Sequence, residues 1–314
     1  MENTPCYKPP SSDAIDSRQN EGASIRLLLA QRRMYTKAKR YFTARFVGMA
    51  VIGIAAPIVS ILWPDMSVVA GAVAGLWIFL GRTWLSAREC FFTKQAAAIQ
   101  ERFDCRVFAM PEVASRDAVP SPEDVALLTT EFTNLHLVAS EQSLLDWYPI
   151  KSSDPGTISV AISQRANVAY TDKLLRMTAN VWMTCAVVWV IAVLLLSILV
   201  ELSLRAFILG IFLPVLPASL DVVQFMRSVH DSAKERADLA LTIQRRLENS
   251  SKPIGPDELL MWQKRLFDLR STTPLVPDCI YWFLRNRNEA AMHAAAEELR
   301  GSDGGASSYE EEDN

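Results

Sequence analysis

Histidine is scarce in this chain, and what there is makes no site. His136, His230 and His293 are the three present, and they form no HExxH pair, which excludes a zinc-hydrolase helix of that type. His230-Asp231 has the residue types of a metal-binding dipeptide but no partner histidine, so it is read as a solvated helix face. The five cysteines (Cys6, Cys90, Cys105, Cys185, Cys279) form no CxxC, so free thiols and no metal centre are expected. Phosphate-cradling and nucleophile motifs are missing as well: there is no GxxxxGK, GxGxxG or GxSxG. These absences argue against an enzyme and against a bound cofactor.

The most telling absence is of charge. Residues 46–64, 66–81, 177–200 and 206–220 contain no Asp, Glu, Lys or Arg. The first two are separated by Asp65 and the last two by 201–205, links too short to hold a folded domain. A bilayer core of roughly 30 Å takes about 20 residues of helix, so the simplest arrangement is two transmembrane hairpins. The net charge of −3 averages opposite local fields. Between Arg26 and Arg45 lie seven basic residues and no acid (Arg26, Arg32, Arg33, Lys37, Lys39, Arg40, Arg45). The hairpin loops carry only Asp65, Glu201 and Arg205. Arg82, Arg88, Lys173, Arg176, Arg227 and Lys234 flank the other helix ends. By the positive-inside rule the loops face outward, and both termini and the central segment are cytoplasmic. Residues 1–20 have no apolar core, so no signal peptide is expected.

The fold class that follows is an all-α membrane protein, with four transmembrane helices in two hairpins and a helical cytoplasmic head. The expected divisions are a disordered leader (1–24), a basic amphipathic helix lying on anionic headgroups (25–45) and the first hairpin (46–86). The first part of the head with its stalk follows (87–176), then the second hairpin (177–226). A stalk with the second part of the head (227–300) and a disordered acidic tail (301–314) complete the chain. Phe92, Ala96, Ile99 and Phe103 recur at helical spacing, as do Ala233, Ala237, Ala240 and Leu247. Two stalks leaving the membrane side by side are expected to pack on each other. Residues 111–122 read as a linker, and Ser121-Pro122-Glu123-Asp124 as a helix start for 125–145. Further helices are expected over 158–177, 257–270 and 277–300. Gly71 and Gly75 have the spacing of a close-packed membrane helix pair.

Aromatic and polar clusters mark the head. Asp146-Trp147-Tyr148-Pro149, Gln164-Arg165-Ala166-Asn167, Gln263 with Phe267 and Arg270, and Asp278 with Tyr281 and Arg285 hold groups that stack on bases or fork onto phosphates. The same residues equally suit a network of buried aromatics and Arg–Asp pairs. The candidate ligand-binding set is Trp147, Tyr148, Arg165, Asn167, Arg270, Asp278 and Arg285. Asp221 follows Pro214 and Pro217 at the end of the fourth apolar stretch, which fits a gate residue or an interfacial anchor.

In order along the chain, these short motifs resemble the SMODS-associated four-transmembrane effectors of CBASS-type anti-phage signalling. The series runs from Gln31, Tyr35, Ala38 and Lys39 to 98–104 with Phe108 and Pro111. It continues through 146–149, 164–167 and Leu175-Arg176 to Gln263, Phe267 and Arg270, then 276–278, Tyr281 and Arg285. Pro111-Glu112-Val113 and Ser163 depart from the pattern, which often has an aromatic or Asn after the proline and a Cys before the Gln-Arg pair. The resemblance implies an inner-membrane effector that binds a cyclic oligonucleotide in its head, forms a homo-oligomer and permeabilises the lipid bilayer. No nucleic acid polymer is expected as a partner. The alternatives are a small constitutive ion channel or transporter, favoured by Asp221 beside a proline-broken helix, and a non-conducting membrane scaffold.

Overall fold

A computed structural model describes residues 7–111, 120–249 and 253–304. Among the described residues every regular element is helical, and no strand occurs. The architecture is that of an all-α membrane protein. The elements are α1 (Ser12–Gln19), α2 (Gly22–Leu62), α3 (Ser67–Leu80), α4 (Ser86–Phe108), α5 (Pro122–Leu127), α6 (Leu135–Glu141), α7 (Gly156–Leu199), α8 (Leu204–Phe207), α9 (Leu213–Glu248), α10 (Pro256–Thr272) and α11 (Asp278–Gly304). A single π-turn, Gly81–Leu85, carries α3 into α4 without interruption. A second, Ile208–Phe212, lies between α8 and α9, and the rod bends there by 57°.

Four rods therefore cross between two environments. The 44 residues of α7 reach roughly 66 Å at 1.5 Å each, twice the thickness of the hydrocarbon core. The excess is the stalk. Three rods are long and apolar enough to cross a membrane, and the bent α8–α9 pair makes a fourth. Only 6% of the most apolar window of α7 is buried, so this face is left for lipid or for another membrane helix.

Stalk pairing follows sequence neighbours. α2 packs along α4, and α7 along α9. The two stalks following the hairpins do not form the expected mutual seam, because each finds its apolar partner in the helix that preceded its own hairpin. Phe92, Ala96, Ile99 and Phe103 do line a buried seam of α4, but it faces α2 and α10. Where the rods enter the membrane, Phe42 and Phe46 of α2 meet Trp182 of α7 and Phe225 of α9, with ring centroids 4.6–5.4 Å apart. This aromatic knot binds the first hairpin to the second.

The head closes over one core built from Ile15, Leu28, Leu29, Phe103, Phe108, Leu144, Ile162, Ile243 and Leu259. Three expectations change here. From Tyr7 on, the leader is ordered: Ser11 caps α1, Ile15 is fully buried, and Tyr7 donates to the Phe108 carbonyl at 3.0 Å. Residues 25–45 are not a separate helix on headgroups. They are the stalk of α2, with Ile25, Leu28, Leu29, Ala38 and Phe42 all buried in protein. A basic face reads as a membrane-surface helix until its apolar stripe finds other helices, and here it does. The helix over 125–145 is broken in two. α5 starts with the expected Ser121 capping box but ends at Leu127, and α6 ends at a left-handed Ser143 (φ 49°). The tail beyond Gly304 lies outside the described residues, as do 1–6 of the leader and 112–119 of the linker.

Candidate functional site

At the centre of the head, Asp104 at the end of α4 is fully buried. Its carboxylate accepts from the Tyr148 hydroxyl at 2.6 Å, Gln263 Nε2 at 2.8 Å and Arg270 Nη1 at 2.5 Å. Glu101, one turn earlier, accepts from the same Gln263 nitrogen at 2.8 Å. Gln164 on α7 donates to Gln263 Oε1 and to the Leu259 carbonyl, both at 3.0 Å. One carboxylate thus ties α4, α10 and the 146–149 loop together, and the amides extend the tie to α7. Burial opposes the charge of Arg270, but Asp104, Tyr148 and Glu101 outweigh it and hold the guanidinium above its ordinary value. Burial, then Asp104, pushes the Tyr148 phenol well up, so it stays a hydrogen-bond donor. Nε and Nη2 of Arg270 have no hydrogen-bond partner. Arg236 lies close by, donating to the carbonyls of Ser232 and Leu269 at 3.1 and 2.8 Å. Burial lowers its guanidinium to about 10. Asp104 and Glu101 face Arg270, while Glu235 and Asp172 act on Arg236, so the charges of this centre are answered within the protein.

A second cluster lies between α2, α7, α11 and the end of α6. Arg32 Nη1 donates to the Gln142 carbonyl at 2.9 Å, and Nη2 to the Tyr281 hydroxyl at 3.5 Å. Arg285 Nη2 reaches the carbonyls of Gln142 and Ser143 at 3.4 and 3.3 Å, and its Nε donates to Glu289 at 2.8 Å. Ser143 in the left-handed region lets Leu144 N–H close back on Ala139 at 2.8 Å, leaving the carbonyls of 142 and 143 to the arginines. Tyr170 stands edge-on to Tyr281, and the Arg285 guanidinium sits 5.0 Å from the Trp282 ring. Burial lowers the Arg32 guanidinium, and Arg285 adds to this by like-charge repulsion.

At the membrane boundary, a cleft of about 600 Å³ opens between α2, α4, α9 and the turn after α10. Two ion pairs cross it. Arg45 lies 3.3 Å from Glu89, joining α2 to α4. Arg82 Nε donates to Asp221 at 2.6 Å, joining the first hairpin to the second.

The seven expected ligand residues thus separate. Tyr148 and Arg270 belong to the closed centre, and Trp147 packs half-buried against the core. Arg165 turns to Gln244 of α9 at 2.8 Å. Asn167, half-buried, lies next to it on α7 and shares none of the bonds of the other clusters. Asp278 is exposed and paired with Lys39. Arg285 alone enters the second cluster. Arg32, which by composition belongs with the surface cations of 25–45, and Tyr170 are the members of this cluster that no sequence motif marks as ligand residues. No local spacing singles out Arg32: it follows the motif residue Gln31, but adjacent helical positions face about 100° apart. Gly71 and Gly75 do not provide the close approach within this subunit, since a Cβ on either would meet nothing within 4 Å. That role falls to Gly48, where a Cβ would collide with Trp77.

The family model for the SMODS-associating 4TM effector domain matches residues 13–299. Among curated proteins, the chain is similar to a probable CBASS effector molecule of Bacillus cereus (strain VD146). The two are 24% identical over 290 residues, covering 88% of this chain and 94% of that protein. No solved structure matches it.

Proposed function

The chain belongs to the SMODS-associating 4TM effector family, and from that premise we propose that it is a membrane effector of anti-phage defence, switched on by a cyclic oligonucleotide. The ligand binds the cytoplasmic head; the subunits then oligomerise and permeabilise the bacterial inner membrane. Both termini and the head are cytoplasmic, in line with the basic flanks of every span.

The observation that carries this reading is mechanical. Three spans continue as unbroken helix into the head, over 38 to 44 residues, and the fourth does so beyond its bend. Any rearrangement of head contacts tilts or rotates the membrane portion of the same rod, because a helix transmits displacement along its length. Asp221 is the proposed gate residue, working through its bond to Arg82. That pair holds the hairpins together at the cytoplasmic mouth, and its release lets them part. Four helices enclose little water, so a conducting state needs several copies. The sparsely buried apolar face of α7 supplies a surface on which copies associate.

The test is membrane potential in cells carrying this protein with a constitutively active cyclic-oligonucleotide synthase, beside a catalytically dead synthase. Depolarisation with the active enzyme alone supports the effector. Depolarisation with both points to a constitutive channel, and a sealed membrane with both to a scaffold.

A further inference from the structure

The second arginine cluster holds more positive charge than it neutralises. Among the described residues, the carboxylate paired there is Glu289, and it is taken up by Arg285. The groups acting electrostatically on Arg32 are Tyr281, Arg285 and Tyr170, none of them a carboxylate. Its strongest partner is a neutral carbonyl, which Arg285 shares at a longer 3.4 Å. Two guanidiniums converging on one carbonyl is a costly arrangement, since their charges repel and only Arg285 gains an anion. The same face of α11 that presents Tyr281 and Arg285 also carries Asn288, one turn on. Asn288 is 4% exposed, and its Nδ2 has no hydrogen-bond partner. At the rim stand Ser143, which is exposed, and Trp282, with more than half its surface open.

We infer that Arg32 and Arg285 form a phosphodiester-binding site, with Tyr281 and the exposed Trp282 placed to stack on an attached base. The forked N–H groups of arginine match phosphate oxygens two at a time, and a phosphodiester would displace the long Arg285 bonds to the 142 and 143 carbonyls. This rests on the reading of the protein as a cyclic-oligonucleotide effector and supplies the site for that ligand.

Phosphodiesters also occur in lipid headgroups, and position separates the two sources. Arg32 precedes residue 46, the start of the first apolar stretch, by 14 positions, roughly 21 Å of helix. Tyr170 precedes residue 177 by seven, roughly 10 Å. The headgroup layer is only about 5–8 Å deep on each side. The cluster therefore stands in the aqueous phase, within reach of a soluble ligand.

The experiment uses the full chain in nanodiscs of phosphatidylcholine and measures binding of a panel of labelled cyclic di- and trinucleotides. A parallel arm offers phosphatidylglycerol in the nanodiscs without nucleotide. The expected result is that one panel member binds the wild type, and that Arg32→Gln weakens it by about tenfold or more, the scale of a lost charge-assisted bond. Arg32→Lys should recover part of the affinity by restoring charge without the fork. Trp282→Ala, which cannot disturb the core because the ring is exposed, should weaken binding several-fold. Arg32→Gln must retain the wild-type melting temperature; if it does not, Trp282→Ala and Arg32→Lys decide. A ligand that binds wild type, Arg32→Gln and Trp282→Ala equally overturns the site and leaves the effector reading intact. Loss confined to the phosphatidylglycerol arm overturns the nucleotide assignment in favour of lipid. No binding by the wild type, together with no depolarisation under any synthase, overturns both.

Discussion

Two arginine centres lie within one head, and they differ in what answers the charge. Arg270 meets Asp104 at 2.5 Å and lies 3.9 Å from Glu101, with all three side chains at most 6% exposed. Arg32 and Arg285 meet carbonyls, a phenol and a single carboxylate. The first is built like a structural bolt, with the charge of Arg270 answered by carboxylates inside the protein. The second holds two guanidiniums against the one carboxylate paired there among the described residues. Arg285 is buried with a carboxylate, while Arg32 is half-buried and pairs with none, and a partly desolvated charge favours an anion that answers it; the difference separates an internal tie from the proposed ligand site. The two centres draw on motifs that look alike in sequence, each pairing Arg with Tyr or Trp, and only the partners distinguish them.

The sharpest way to break this contrast is to remove the anion from the closed centre. Asp104→Ala leaves Arg270 buried without its main partner, takes the acceptor from Tyr148 and leaves Gln263 Nε2 with Glu101. Loss of a partner from a buried pair costs about 3–5 kcal/mol, so the purified protein should melt far below wild type or fail to accumulate. A melting temperature within a few degrees of wild type would show that Asp104 is no tie at all.

Arg236 offers an intermediate case, because it is as buried as Arg270 but bonded only to carbonyls and Thr273. Arg236→Met gives up neutral-acceptor bonds and at the same time removes a charge that burial disfavours. The net loss should be about 1–2 kcal/mol, the ordinary cost of orphaned acceptors, and smaller than that of Arg270→Met, which strands two carboxylates. Equal losses in the two variants would mean that charge balance does not govern the centre.

At the membrane boundary the contrast takes a functional form. If the Arg82–Asp221 bond holds the hairpins closed, Arg82→Gln and Asp221→Asn should each raise resting leak in cells lacking an active synthase. The reciprocal exchange Arg82→Asp with Asp221→Arg should reseal it, since the pair is restored with its ends reversed. A leak that persists in the exchange would assign the residues to the pore wall rather than to a closing bond.

Much of this molecule is legible in the sequence where physics acts locally. Absence of charge over 177–200 is a complete statement about that segment, because a bilayer tests each residue singly. Helix starts are local in the same way, and Ser121 caps α5 as its sequence implies. The head depends on distant pairs. Asp104 meets Arg270 across 166 positions, and Arg32 meets Tyr281 across 249. No spacing rule reaches that far. The basic stretch around Arg32 shows the consequence: composition alone cannot tell a cation facing lipid headgroups from one facing a carbonyl and a phenol inside the protein. The αL residue at Ser143 was equally hidden, since glycine or asparagine would have announced it and serine does not.

The smallest effect is expected at Asp278, and it discriminates between the sequence reading and the structure. Asp278 is exposed over most of its side chain and pairs with Lys39; exposed pairs contribute about 0–1 kcal/mol. Asp278→Asn should therefore leave the melting temperature nearly unchanged. Its effect on ligand binding separates two geometries. A carboxylate at the start of α11, one turn before Tyr281, repels a phosphodiester on Arg32 and Arg285, so neutralising it should leave affinity unchanged or slightly raised. If Asp278 instead accepts a ribose hydroxyl, as its place beside Tyr281 and Arg285 in the sequence suggests, Asn loses that bond and affinity falls several-fold. A fall would move the pocket toward the N-terminal end of α11. Unchanged binding, alongside a loss in Arg32→Gln, fixes the ligand on the arginines of the second cluster.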